Sequence, residues 1–258
     1  MGAGIDVRRK LFSQVHAVFG GNLRLLICGG APLRQSLIDN FEAIGIDVLN
    51  GYGITECAPL ISVNRNKCRR AGSVGRPIPT MTVKIDEPDE AGEGEICVRG
   101  DNVMLGYYKD EAATAEVFDE EGFFHTGDCG RTDDDGWLYI TGRRKNLIIL
   151  SNGKNVYPEE IEQSFTGLSG VIDAVVYEGE SRRGQQHNAI VLELHPDVEA
   201  LAKAGVSSIY DHFYKHVLEY NRTAVPYKKI GLLRIRDEAF PKNTLRKIVR
   251  FKIDKTIE

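Results

Sequence analysis

The sequence predicts a parallel α/β segment that gives way to α+β structure, and three observations carry that expectation. Residues 7–50 alternate helix-like and strand-like runs. Beyond Gly72, short strand-like runs follow at close spacing between turn clusters. The last third mixes strands with longer helical patterns behind an Asn-Gly turn.

In chain order, Val7, Leu11, Val15 and Val18 recur at helical spacing, and Gly20-Gly21 stops that helix. Residues 23–28 form a compact apolar run, read as a buried strand. Gly29-Gly30 turns the chain, and Pro32 suits the first position of a helix running to about Ala43. Gly45 ends that helix and residues 46–49 form the next strand. After Gly72, residues 82–85, 95–99, 123–125 and 137–141 read as short strands, and one short helix at 111–117 interrupts them. Their spacing describes a small antiparallel, β-barrel-like unit. Residues 147–150 and 154–157 flank Asn152-Gly153, a hairpin signal because Asn-Gly supplies two positive-φ positions. Pro158-Glu159-Glu160 opens a helix with acids at its positive end. Strands at 171–177, 189–194 and 232–236 and helices at 198–204 and 207–221 complete an α+β domain of roughly a hundred residues.

Composition narrows the function classes. At ~100–200 residues per domain, 258 residues make one large or two modest domains, with enough chain for an unstapled core. A net charge of −4 leaves no basic footprint for nucleic acid. The five cysteines are odd in number and none is spaced Cys-x-x-Cys, which argues against a disulfide framework and a structural zinc site. Reduced, cytoplasmic thiols are the simpler reading. No run reaches ~18 apolar residues, so no integral membrane segment is expected, and peripheral membrane contact stays open. Arg8, Arg9 and Lys10 precede no long apolar run and belong to an amphipathic helix rather than a signal peptide.

Two glycine-rich segments follow the two parallel strands: Gly29-Gly30-Ala31-Pro32 and Gly51-Tyr52-Gly53-Ile54-Thr55-Glu56. Ligands of open α/β sheets bind beyond the carboxyl ends of strands. There Tyr52 can stack on a flat ring, Thr55 can bond phosphate and Glu56 can ligate Mg²⁺. Each segment alone is equally a tight turn.

An ordered series of motifs separates the two readings. GGAPL (29–33), GYGITE (51–56), GSVGRP (72–77), GEGEICVRG (92–100), GYY (106–108), HTGD (125–128), GWLYITGR (136–143) and SNGKNVYPEEIE (151–162) follow one another along the chain. In this series the chain resembles the acyl-adenylate-forming superfamily of AMP-binding enzymes. The runs GYYKDEAATAEVF and RRKNLIILSNGKNVYPEEIE most resemble its long-chain fatty acyl-CoA ligase branch.

The resemblance implies that residues 1–141 are the carboxy-terminal part of an adenylating domain, including the barrel-like unit, and that 142–258 are a mobile α+β lid. It implies ATP-dependent activation of a fatty acid to acyl-AMP and transfer of the acyl group to CoA. Gly29, Gly30 and Ala31 would line the adenine and acyl pockets, and Gly51 and Gly53 would flank Tyr52, which would stack on adenine. Thr55 would touch the α-phosphate, Glu56 would hold Mg²⁺, and Asp128 and Arg143 would bond the ribose. Lys145 would be the hinge, and Gly153 would let the pantetheine arm of CoA pass. A lysine near the carboxy terminus would meet charge developing in adenylation. Lys247 matches it, although the family has Gly where Arg246 stands, and Lys242 is the fallback. Arg143, Arg144 and Lys145, with Arg182 and Arg183, could meet CoA phosphates or form a solvated face. His187, His212 and His216 complete no ligand pattern.

The family's Ser/Thr/Gly-rich loop ending in Pro-Lys, which wraps the β- and γ-phosphates ahead of GGAP, has no counterpart here. Residues 166–170 resemble it only in composition. The expectation is therefore a chain inactive by itself, partnered in a longer parent by the rest of the amino-terminal domain. The alternatives are a non-catalytic adenylate-binding fragment and an adenylation domain for another carboxylic acid.

Overall fold

The computed structural model describes residues 6–181, 189–244 and 246–257. The chain divides into two compact units, Met1–Arg144 and Lys145–Glu258.

The first unit opens with two short helices, α1 (Arg8–Leu11) and α2 (Ser13–Val18). One continuous helix was expected there, but Phe12 leaves helical backbone at φ −100°, ψ 29° and separates them. Strand β1 (Leu25–Cys28), helix α3 (Gln35–Ala43) and strand β2 (Asp47–Gly53) follow. β1 and β2 run parallel, Leu25 opposite Asp47 and Cys28 opposite Asn50, as a helical crossover requires. Pro32 does not open α3, because Arg34 is still extended at φ −69°, ψ 136°.

β2 is longer than its apolar run and continues through Gly51-Tyr52-Gly53. These glycines lie in a strand rather than the expected loop, and their role is close approach. A Cβ on Gly51 would lie 3.1 Å from the Ser62 carbonyl oxygen, and one on Gly53 would lie 1.9 Å from that of Pro59. The strand that presses on them is β3 (Leu60–Val63), and β3 and β4 (Arg76–Pro77) extend the sheet antiparallel in the order β1-β2-β3-β4.

A second sheet holds β5 (Met81–Asp86), β6 (Gly94–Gly100), β7 (Phe124–Thr132) and β8 (Leu138–Arg143) in sequence order, all antiparallel. Helix α4 (Glu111–Val117) lies between β6 and β7 in sequence, its first turn capped by the Asp110 carboxylate on the Ala113 amide. The expected barrel does not close: β5 and β8 remain edges of a four-stranded sheet. Alternation of side chains gives the sheet one apolar face, where Ile96, Val98, Phe124 and Leu138 meet Tyr52, Cys57 and Ile61 in a single core.

The second unit begins with the hairpin β9 (Ile148–Ile149) and β10 (Asn155–Val156). Only Gly153 in its turn takes positive φ, at 76°, so the turn is not the doubly left-handed form that Asn-Gly suggests. Helix α5 (Pro158–Phe165) packs on strand β11 (Val171–Glu178). The short strand β12 (Glu180–Ser181) precedes the undescribed segment, which contains Arg182, Arg183 and His187. Strand β13 (Ile190–Pro196), helices α6 (Val198–Lys203) and α7 (Ile209–Thr223), and strands β14 (Leu232–Ile235) and β15 (Thr256–Ile257) follow. β13 lies between β11, antiparallel, and β14, parallel. Phe165, Leu192, Leu194 and Phe213 are buried in its core, each worth roughly 1.5–3 kcal/mol of transfer free energy. Buried Glu162 accepts Arg250 Nη2 on both carboxylate oxygens, at 2.8 and 2.7 Å, and the Val176 amide at 2.6 Å.

Between Lys242 and Ile248, which form an isolated antiparallel bridge, the chain makes a tight loop. The Asn243 amide donates to the Lys247 carbonyl, and the Lys247 amide donates to Asn243 Oδ1, both at 2.9 Å. Arg246 sits in this loop at φ +60°, a conformation that disfavours a non-glycine residue by roughly 1–2 kcal/mol.

Gly53→Ala should destabilise the first unit by about 1–3 kcal/mol in chemical denaturation, and more than Gly51→Ala does. Equal, negligible effects would mean that β3 yields freely. Arg246→Gly should stabilise the second unit by about 1 kcal/mol in the same measurement. A loss of stability would show that the arginine side chain itself holds the loop.

Candidate functional site

In the first unit the sheet ends gather the residues that sequence reasoning singled out. A Cβ on Gly29, just past β1, would lie 3.2 Å from the Gly51 carbonyl oxygen of β2. The two glycine segments are therefore adjacent, and Gly29, Gly30 and Ala31 are exposed beside them. Gly30 takes φ +78°, which turns the chain away from β1.

Tyr52 points inward. It is 8% exposed, and its hydroxyl donates to Asp128 Oδ2 at 2.7 Å. Burial pushes the phenol far above its ordinary range, and the Asp128 charge adds to that, so the hydroxyl is a neutral donor. In this arrangement the ring is a core residue whose polar end holds Asp128.

Asp128, 4% exposed, also meets Arg143: Nε lies 2.7 Å from Oδ1. The two residues face each other across β7 and β8. The register of β6 and β7 shifts between Glu95 and Cys97, with Cys97 opposite His125 and Glu95 opposite Cys129. Residues 126–128 thus bulge from the ladder, and side chains meet the bulge. Thr126 Oγ1 donates to the Ile96 carbonyl at 2.7 Å and accepts the Asp128 amide at 3.1 Å. Gly127 takes φ +69°. A buried carboxylate so held on a bulge is a fixed acceptor for hydroxyl groups.

Past β2, Thr55–Cys57 forms a 3₁₀ turn in which Thr55 is exposed and Glu56 is half-buried. Asn102 Nδ2 braces the turn by donating to the carbonyls of Cys57 and Leu60 at 2.7 and 2.8 Å, and the Met104 amide donates to the Glu56 carbonyl at 2.7 Å. The Tyr107 hydroxyl donates to Glu56 Oε1 at 3.4 Å, its own pKa raised by burial and by the Glu56 charge. Glu56 therefore offers hard oxygen donors of the kind Mg²⁺ accepts.

Sequence reasoning missed a polar cluster on the other face of the β5–β8 sheet. Glu95, 7% exposed, accepts His125 Nδ1 at 3.0 Å, the Gly127 amide at 3.0 Å and the Arg144 guanidinium. Burial works to raise its pKa, but bonds from His125, Arg144 and Gly127 outweigh burial and hold the carboxyl below its ordinary value. Asp86, Cys97 and His125 also bring ligand-type atoms within 4.8 Å of one another. Lys84 Nζ lies 3.8 Å from Asp86 and burial pushes the Cys97 thiol up to about 12, so the local charges are met by side chains. A charged Glu95 directly ahead of the apolar run Ile96-Cys97-Val98 was the signal available in the sequence.

In the second unit, Lys145 is exposed at its start and Gly153 is exposed in the hairpin turn. The two candidate lysines differ. Lys242 Nζ pairs with Asp173 at 2.7 Å. Lys247 is exposed, and its ammonium has no side-chain partner among the described residues. His212 and His216 are 5.5 Å apart between ring centroids, and His216 faces Glu219 at 3.9 Å.

Comparison with known proteins bears on these arrangements. A family model described as "AMP-binding enzyme" matches residues 6–108. Long-chain-fatty-acid–CoA ligase 5 of Mus musculus is 34% identical over 234 residues, 86% of this chain and 34% of the relative. Human long-chain-fatty-acid–CoA ligase 1 is 36% identical over 200 residues, 75% of this chain and 28% of the relative. The chain thus spans about a third of the length of the curated relatives it matches. Among solved structures, the Bacillus subtilis o-succinylbenzoate CoA synthetase MenE with its acyl-adenylate intermediate matches at TM-score 0.74 and 26% identity, over 93% of this chain and 49% of that one. ATP-bound MatB from Rhodopseudomonas palustris matches at TM-score 0.73 and 27% identity, over 91% of this chain and 45% of that one. With the ordered motifs, the family match and these relatives in agreement, the chain belongs to the adenylate-forming superfamily of AMP-binding enzymes, in its fatty acyl-CoA ligase branch.

Proposed function

We propose that this chain supplies the ribose-binding, Mg²⁺-binding and hinge parts of an AMP-forming fatty acid–CoA ligase, with a long-chain acid as substrate. The observation that carries the reading is the buried Asp128, fixed by Tyr52 and Arg143 at the bulged edge of the β7–β8 pair. A pre-oriented carboxylate with an arginine beside it suits a vicinal diol such as a ribose. The long-chain preference is supported by the mouse and human ligases at 34% and 36% identity.

In the proposed reaction the fatty acid carboxylate attacks the α-phosphorus of ATP, and pyrophosphate leaves. The thiol of CoA then attacks the acyl carbon of the adenylate and AMP leaves. Asp128 and Arg143 orient the ribose, and Thr55, exposed on the turn past β2, would bring its hydroxyl to the α-phosphate. Glu56 would hold Mg²⁺, which when bound supplies charge neutralisation to the phosphates. Gly29, Gly30 and Ala31 offer exposed backbone beside the site, and Gly51 and Gly53 keep β2 tight against β3 beneath it. Lys145 opens the second unit and serves as hinge residue, and Gly153, without a Cβ, leaves room for the pantetheine arm of CoA.

For the adenylation cation the reading settles on Lys247. Arg246 takes φ +60°, a conformation that glycine adopts without strain, which supports reading it at the position of the family's glycine with Lys247 as the lysine that follows. Lys242 is engaged with Asp173 instead. The chain has no counterpart of the Pro-Lys phosphate loop, and on this reading it does not complete adenylation alone.

In the natural protein that carries this chain, Lys247→Ala should lower fatty acid-dependent pyrophosphate exchange by about 10²–10³-fold, while thioester formation from supplied acyl-adenylate persists. Lys242→Ala should retain exchange and lose at most about 1 kcal/mol of stability. Exchange lost in the Lys242 variant and kept in the Lys247 variant would reverse the assignment.

A further inference from the structure

We infer that Glu95 is a positioning residue of the nucleotide site, clamping the two backbone segments that carry Asp128 and Arg143. The inference rests on the reading of that pair as the ribose-binding pair.

Glu95 touches neither member of the pair. It takes hold of the residue beside each. Gly127, one residue before Asp128, donates its amide to Glu95 Oε1 at 3.0 Å. Arg144, one residue after Arg143, places its guanidinium on Glu95 Oε2. His125, three residues before Asp128, brings Nδ1 to the same Oε2 at 3.0 Å. A single carboxylate, 7% exposed, therefore ties β6 to both strands of the site.

The bulge explains why a side chain is needed there. Between His125 and Cys129 the β6–β7 ladder skips, and an amide on the skipped segment loses its strand partner. Glu95 supplies the missing acceptor to Gly127. An ionised carboxylate does this better than a neutral group, because charge-assisted bonds are about twice as strong as neutral ones. Its second oxygen, shared with His125, takes the Arg144 flank. With that clamp removed, the bulge has no fixed height and the Asp128–Arg143 register loses a support on each side. A ligand bonded through its diol feels this loss, and a ligand lacking the diol does not.

Arg144 is also the last residue of the first unit and precedes Lys145 directly. The clamp thus anchors the near side of the proposed hinge residue, so rotation there begins from a fixed backbone.

The test is calorimetric titration of the natural protein with AMP and with 2′,3′-dideoxy-AMP, for wild type, Glu95→Ala and Arg144→Ala. Wild type should prefer AMP. Glu95→Ala should weaken AMP about tenfold while dideoxy-AMP binding stays within about twofold, which removes the preference. Arg144→Ala changes an exposed side chain and keeps the Gly127 bond, so it should fold and lose part of the preference. It decides the question if Glu95→Ala does not fold. Full preference retained in the folded variants overturns the positioning role alone. Equal loss of both ligands shows general disruption and also overturns it. A wild type without preference overturns the ribose reading, and the positioning role with it.

Discussion

The contact between Tyr52 and Asp128 is the constraint on which the first unit depends. It joins the end of strand β2 to the antiparallel β5–β8 sheet, two elements far apart in sequence. Both partners are buried, so the carboxylate has left water and needs compensation. The phenol and the Arg143 guanidinium provide it, one on each oxygen. Breaking either leaves a buried charge underpaired, a heavier penalty than loss of a surface pair. The same interaction that closes the core therefore holds an acceptor at the proposed site.

Much of this was legible in the sequence because it depends on local rules. The crossover β1–α3–β2, the short helix α4, Pro158 at the start of α5 and the strands of the second unit follow from periodicity and helix-start signals. The errors arose where tertiary contact overrides local pattern. Gly51 and Gly53 look like loop residues, yet β2 runs through both, where the Pro59 carbonyl excludes a Cβ on Gly53 and the Ser62 carbonyl crowds one on Gly51. The spacing of four strands suggested a barrel, but closure depends on how the edges meet, which no spacing encodes.

The site was legible in identity more than in arrangement. Asp128 and Arg143 could be named from HTGD and GWLYITGR, and the structure pairs them directly. That Tyr52 faces Asp128 instead of presenting an open ring, and that Glu95 grips the neighbours of the pair, could not be read from spacing. Both depend on the bulge at 126–128, and a bulge leaves only a glycine in the sequence. Conversely, Arg246 departs in identity from the family's glycine, while its φ of +60°, a conformation that glycine takes readily, leaves no mark in the sequence. Residue identity and backbone conformation carried separate information there.

The central claim is that the fixed carboxylate serves a nucleotide activated at its α-phosphorus. The most direct measurement is product analysis of the natural protein with labelled ATP, a long-chain fatty acid and CoA. The account predicts AMP and pyrophosphate in step with acyl-CoA. Release of ADP and inorganic phosphate would contradict it.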